Sequence, residues 1–157
     1  MDSDVRALID RFDLQPLPIE GTLFAETYRS HASTAMVGLY AVDPPSRSCF
    51  HVLAHDEVWH AYAGDPFRLI LLHPDGSSDE VVLGCGVAAG QQVQFTIPAG
   101  TWQAGELLPG GRFALFGCTM APGFTPDCFQ SSAAASLIAR WPARAADIRR
   151  LAVPDWI

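Results

Sequence analysis

This sequence predicts an all-β fold: a sandwich, jelly roll or barrel of short strands, with helices at both ends. Three observations carry that expectation. Short apolar or alternating segments recur at nearly even spacing between about residues 22 and 130. The chain's 13 Gly and 12 Pro largely punctuate those segments as turns. Helical periodicity shows only near the two ends.

The elements follow in order. Val5, Leu8, Ile9 and Phe12 recur at helical spacing, so a helix is predicted over about 3–12, with Asp2 or Ser3 as its N-cap. Pro16 and Pro18 then interrupt regular structure. Residues 22–29 and 34–42 read as extended, and Pro44-Pro45 closes the second segment. Further strands are expected at 49–54, 57–63, 67–73, 80–83, 92–97 and 112–120. Pro74-Asp75-Gly76 is a hairpin signal, because Pro presets one turn residue and Gly supplies a positive φ. Ile97-Pro98-Ala99-Gly100 makes a tight turn, and the strand after it begins with Gln103 behind Trp102. Ala133 to Trp141 reads as a helix with Leu137, Ile138 and Trp141 on one side, and Pro142 ends it. Residues 143–151 are expected to form a second, shorter helix. With no repeat or linker, the whole of 1–157 reads as one domain: a helix over about 3–12, a β core over about 22–130 and a helical tail over about 133–151.

Composition bounds the function. At 157 residues and 17.0 kDa, the chain can bury one full core. Ten Lys and Arg against 17 Asp and Glu give a net charge of −7, which argues against neutralising nucleic-acid phosphates. No apolar run reaches the ~20 residues of a membrane helix. The opening Met1-Asp2-Ser3-Asp4 lacks a basic n-region, so the expected compartment is the cytosol. Cys49, Cys85, Cys118 and Cys128 have no CxxC spacing and are expected to be buried free thiols.

One stretch is dense in chemistry, His51-Val52-Leu53-Ala54-His55-Asp56-Glu57-Val58-Trp59-His60-Ala61-Tyr62. Alternation places His51 with Leu53 on one face. After a turn it places Glu57 with Trp59, and His60 with Tyr62 on the opposite face. His51 and Glu57 are therefore expected to converge inside, and His60 to look elsewhere. In Glu26-Thr27-Tyr28-Arg29 the same alternation puts Glu26 and Tyr28 together, with Arg29 opposite. Burial of Glu57 would raise its pKa and suit it to proton transfer, or it is a satisfied polar group paired with Arg29 or His51. Trp59 and Trp102 wall a pocket or fill the core.

These residues resemble the cupin superfamily. His51-x-Leu53-xxx-Glu57 followed by Gly64 is similar to the first cupin motif, with Leu53 where the second His belongs. Pro98-x-Gly100-xx-Gln103 is similar to the second, with Gln103 in place of its His. The strings LQPLPIEGTLFAETYRS, CFHVLAHDEVWHAYAGDPF, IPAGTWQAG and FALFGCTMAPGF narrow the resemblance to the DUF985 (cupin_5) family. Three departures stand out: Leu17 for His, Ile19-Glu20-Gly21-Thr22 for the usual Pro-Glu-Gly-Gly, and Asp127-Cys128-Phe129-Gln130 for an acidic ending.

The resemblance implies a cupin-type, RmlC-like jelly roll or β-barrel with a small-molecule site in its mouth, and a homodimer. The expected function is a non-redox isomerase, epimerase, cyclase or lyase working by proton transfer. Glu57 or His51 would be the base, Tyr28 or His60 the acid, and Gln103, Trp102, Trp59 and Glu26 the ligand-binding groups. The metal-motif positions are His51, Glu57 and Gln103. Because Leu53 removes a ligand, no cofactor is expected, and a divalent metal belongs to the alternative of a metal-dependent oxygenase. A second alternative is a non-catalytic binding or regulatory cupin.

Overall fold

A computed structural model describes residues 1–153. Helix α1 (Ser3–Phe12) forms where periodicity places it. The Asp2 carboxylate accepts the Asp4 N–H at 2.8 Å, and Asp13, at φ 51°, terminates the helix. Eleven strands follow: β1 (Gln15–Pro16), β2 (Leu23–Arg29), β3 (Thr34–Ala41), β4 (Ser48–Leu53), β5 (Glu57–Gly64), β6 (Phe67–Leu72), β7 (Ser78–Leu83), β8 (Gln94–Ile97), β9 (Trp102–Leu107), β10 (Phe113–Met120) and β11 (Phe129–Ser131). Helices α2 (Ala134–Arg140) and α3 (Ala145–Leu151) form the tail.

The strands pair antiparallel into a six-stranded sheet, β1-β2-β3-β10-β5-β8, and a five-stranded sheet, β11-β4-β9-β6-β7. Of the expected sandwich, jelly roll or barrel, the described residues show two facing antiparallel sheets, and no pairing between the named strands closes them into a barrel. Two short strands were not anticipated. Pro16 sits at a sheet edge, where its missing N–H costs no ladder bond. β11 is only three residues long, too short for a periodic signal.

The core lies between the sheets. Tyr40, Trp59, Phe116 and Cys118 of one sheet pack on Phe67, Leu69, Leu71 and Leu83 of the other. Outside the six-stranded sheet, Val5, Leu8, Ile9 and Phe12 of α1 cover Leu23, Leu39 and Leu115. Outside the five-stranded sheet, Leu137, Trp141, Ile148 and Leu151 of the tail cover Phe50, Ile70, Leu72 and Ala104. Arg68 and Arg150 bridge Glu106 and Asp147, tying α3 to that sheet. Cys49, Cys118 and Cys128 are buried free thiols, whereas Cys85 is exposed because it follows the end of β7 on a surface turn.

Two bulges re-aim the side chains that matter. In β4, Ser48 pairs with Gly105 and His51 with Gln103, so one extra residue lies between them. Ser48 and His51 therefore both face inward, while Phe50 joins the helical layer. In β2 the register shifts between Glu26 and Tyr28. The bulge at Thr27 breaks the expected alternation. Glu26 and Arg29 end on one side, and Tyr28 on the other, exposed.

Candidate functional site

A cavity of about 70 Å³ opens at the end of the sandwich where β4 leads into β5. Its polar wall is Glu20, Glu26, His51 and Glu57, with Thr34 and Cys118. Leu17, Leu53, Met36, Met120 and the rings of Phe24, Trp59, Phe124 and Phe129 make the rest apolar.

The turn Ala54–Asp56 carries the chain from the five-stranded to the six-stranded sheet, so His51 and Glu57 reach the cavity from opposite sheets. Asp56 fixes the turn's end by accepting the Ala99 N–H at 2.8 Å. Glu57 is 7% exposed. Its Oε2 accepts the Trp59 indole N–H at 3.0 Å and the Gln103 amide N–H at 2.8 Å. Gln103, from β9, also offers its Oε1 to the Trp59 N–H at 3.0 Å. These bonds clamp the two sheets at the cavity floor. Burial raises the Glu57 pKa; nearby His51 and the two donated hydrogen bonds oppose the rise, and Glu20 adds to it.

His51 is 3% exposed and stacks on Phe129, with ring centres 5.3 Å apart. Its Nδ1 lies 2.8 Å from the Cys49 carbonyl oxygen. A carbonyl only accepts, so Nδ1 carries a proton and donates it here, while Nε2 is left out of this bond. Among the described residues, Nε2 of His51 and Oε1 of Glu57 have no nitrogen or oxygen hydrogen-bond partner, the Cys118 thiol lies against Glu57, and neither atom is sealed from solvent. Both residues line the cavity.

Glu20 is the residue that sequence reasoning missed. It is 9% exposed and lines the same cavity. Its Oε1 accepts the Thr22 hydroxyl at 2.9 Å. That use of the Thr22 proton sets a direction for the chain behind it: Ser48 donates to Thr22 at 2.7 Å, and Tyr40 donates to Ser48 at 2.6 Å. Gly105 of β9 leaves the space that the Tyr40 hydroxyl fills, since a Cβ there would collide with it. Burial pushes the Tyr40 phenol well up, so it stays a donor. The loop reaches this position through Ile19 at φ 70°, a left-handed conformation unfavourable for a β-branched residue. The signal in the sequence was Glu20-Gly21 inside a motif string, but nothing local announced burial.

The other expected site residues divide. Trp59 and Glu26 do line the cavity. Glu26 sits at its mouth, held by Arg29 through bonds of 2.8 and 2.6 Å, while Arg29 also donates to the Phe124 carbonyl at 2.8 Å. Arg29 therefore pairs with Glu26, not Glu57. Tyr28 is 56% exposed and His60 lies on the outer face of β5, so neither stands beside Glu57. His60 accepts from Gln94 at Nδ1 (3.2 Å) and donates from Nε2 to Thr119 (2.9 Å). Trp102 alternates with Gln103 and faces the helical layer around Leu137 and Trp141, away from the cavity. The Cys118 thiol borders Glu57, and burial with the two nearby carboxylates raises its pKa well above the usual range, which leaves it un-ionised.

Residues 6–132 match the family described as Cupin superfamily (DUF985). The chain belongs to that family. Among solved structures, a hypothetical protein from Leishmania major is 27% identical over 95% of this chain and 98% of its own, with a TM-score of 0.86. A protein from Shewanella oneidensis is 28% identical over 99% of both chains, also at 0.86. Bacillus subtilis oxalate decarboxylase shares the fold at 14% identity and TM-score 0.54, over 88% of this chain and 37% of that one. No curated protein matches.

The residues of this cupin do not fit a transition-metal site of the superfamily's kind. Leu53 offers no donor atom, and the Gln103 carbonyl oxygen already accepts from Trp59. Of the motif positions that leaves one imidazole and one carboxylate, fewer than the three or four protein ligands such ions take, and Glu20, the further buried carboxylate on the wall, is not grouped with them as a third ligand. Among the described residues, no three His, Cys, Asp or Glu side chains are grouped to hold an ion.

Proposed function

We propose that this cupin binds a small molecule in the cavity and moves a proton on it, as a non-redox isomerase, epimerase, cyclase or lyase. The observation that carries the reading is that His51 and Glu57 line one small cavity, with His51 Nε2 and Glu57 Oε1 free of nitrogen and oxygen partners among the described residues. His51 Nε2 takes a proton from carbon next to a carbonyl. Glu57, protonated more readily because it is buried, supplies one to the developing oxyanion or to the neighbouring carbon. Trp59 and Gln103 hold the Glu57 carboxyl still while its other oxygen works. No metal step enters. The homodimer, the single-domain jelly-roll organisation and a cytosolic setting remain part of this reading.

The experiment is proton exchange in D₂O, followed by ¹H NMR on a panel of small aldehydes and ketones. The wild type is expected to wash out α-protons, and Glu57→Gln to slow this by about 100-fold or more, the lower range for general acid–base groups. Saturable binding with no exchange would overturn proton transfer and favour the non-catalytic binding cupin. Leu17 and Leu53 on the wall are the observation behind that second reading, because they make the site less polar than the family pattern.

A further inference from the structure

The cavity's polar atoms are one-sided. No Lys or Arg side chain lines it, whereas Glu20, Glu26 and Glu57 do. Glu26 is neutralised by Arg29 at the mouth. Deeper in, three atoms lack nitrogen or oxygen partners among the described residues: His51 Nε2, Glu57 Oε1 and Glu20 Oε2. None of the three is sealed off, and all three residues line the cavity. Each can accept: Nε2 when the ring is neutral, and the oxygens when the carboxyls are ionised. His51 adds a non-acidic group to the wall. It is 97% buried by its 3% exposure, it belongs to the sheet opposite Glu57, and its Nδ1 donates to the Cys49 carbonyl.

Acceptors on the walls of one cavity suit a ligand that donates. A carboxylate would add a third negative charge beside Glu20 and Glu57 with no Lys or Arg on the wall to meet it, because Arg29 is already engaged by Glu26 and Phe124. An ammonium group carries three donors and one positive charge. Aromatic faces complete the match, since Phe24, Trp59, Phe124 and Phe129 surround the acidic groups. About 70 Å³ is several times the ~10–15 Å³ a single water needs, which limits the guest to a few heavy atoms.

We propose that the cavity recognises a small primary amine, with Glu20 as the counter-ion and Glu57 and His51 as the remaining acceptors. This rests on the cavity being the ligand site of the preceding section, but not on its proton chemistry. The hydroxyl chain from Tyr40 through Ser48 to Thr22 then has a role. It occupies one Glu20 oxygen and leaves the other free for the guest, so Thr22 acts as a positioning residue.

The test is calorimetric titration near pH 7.5 with three isosteric probes: propylamine, propionate and propan-1-ol. Propylamine is expected to saturate one site, with the other two at least about ten-fold weaker, the factor that 1.4 kcal/mol represents. Glu20→Gln is expected to weaken propylamine at least ten-fold while its circular dichroism matches the wild type. Glu20→Asp, which keeps the charge, is expected to retain part of the binding and covers the case in which the Gln variant misfolds. Preference for propionate, equal binding of the alcohol, no binding of propylamine, or Glu20→Gln and Glu20→Asp losing affinity equally would each overturn the proposal. The proton-exchange assay on ketones separates the two readings. Exchange without amine binding sinks only this inference, and amine binding without exchange sinks only proton transfer.

Discussion

Replacing Glu57 by Gln should make the protein more stable at high pH relative to low pH. The side chain is 7% exposed and its carboxyl pKa is raised by burial from the usual value of 4.5. A raised folded-state pKa means that the folded protein holds the proton more tightly than the unfolded chain. Stability from this group is therefore full below the unfolded value and is lost as pH rises through the folded one. The size follows from opposing contributions. Burying an ionised carboxylate costs on the order of several kcal/mol. The bonds from Trp59 and Gln103 return about 1 kcal/mol each beyond their neutral equivalents, and His51 returns part of the remainder. A net penalty of about 1–2 kcal/mol remains for the ionised form. A Gln carbonyl oxygen can accept both bonds with no charge to desolvate. Urea unfolding of wild type and Glu57→Gln across pH 4.5 to 8.5 should show the variant gaining about 1–2 kcal/mol relative to wild type over that interval. A flat difference, or a variant that loses ground as pH rises, would refute the reasoning.

Three further outcomes are expected. Leu53→His restores the missing imidazole beside His51 and Glu57, so the variant should bind about one Zn²⁺ per chain in a calorimetric titration in which the wild type stays far below that. His60→Gln breaks a half-buried bond to Thr119 on the outer face, costing about 0.5–1.5 kcal/mol in urea unfolding while ligand affinity and exchange rate stay within about two-fold. Thr22→Val removes the donor to Glu20 and strands the Ser48 hydroxyl, so unfolding should become easier by about 1–3 kcal/mol.

The β core was legible because alternation and Gly/Pro turns are local signals. The hairpin at Pro74-Asp75-Gly76 needs a positive φ, and Gly76 sits at φ 90° between β6 and β7. The convergence of His51 and Glu57 followed from alternation on two strands separated by a short turn. Glu20 did not follow, because its burial depends on an Ile19 backbone in the left-handed region and on hydroxyls from β3 and β4. The side assigned to Tyr28 failed for a different reason. One bulged residue at Thr27 reverses everything after it, and a bulge leaves no trace in the alternation pattern. Trp102 was grouped with Gln103 by sequence adjacency, yet neighbours in a strand face opposite ways.

The central claim is that His51 and Glu57 work on a small guest as an acid–base pair without a metal. It is tested most directly by measuring α-proton exchange on the panel after exhaustive chelation, with elemental analysis of the same sample. The account predicts exchange unchanged within about two-fold at a metal content below roughly a tenth of an equivalent per chain. It also predicts that exchange falls by about 100-fold or more in both Glu57→Gln and His51→Gln. Exchange that disappears on chelation and returns with added divalent metal would contradict it.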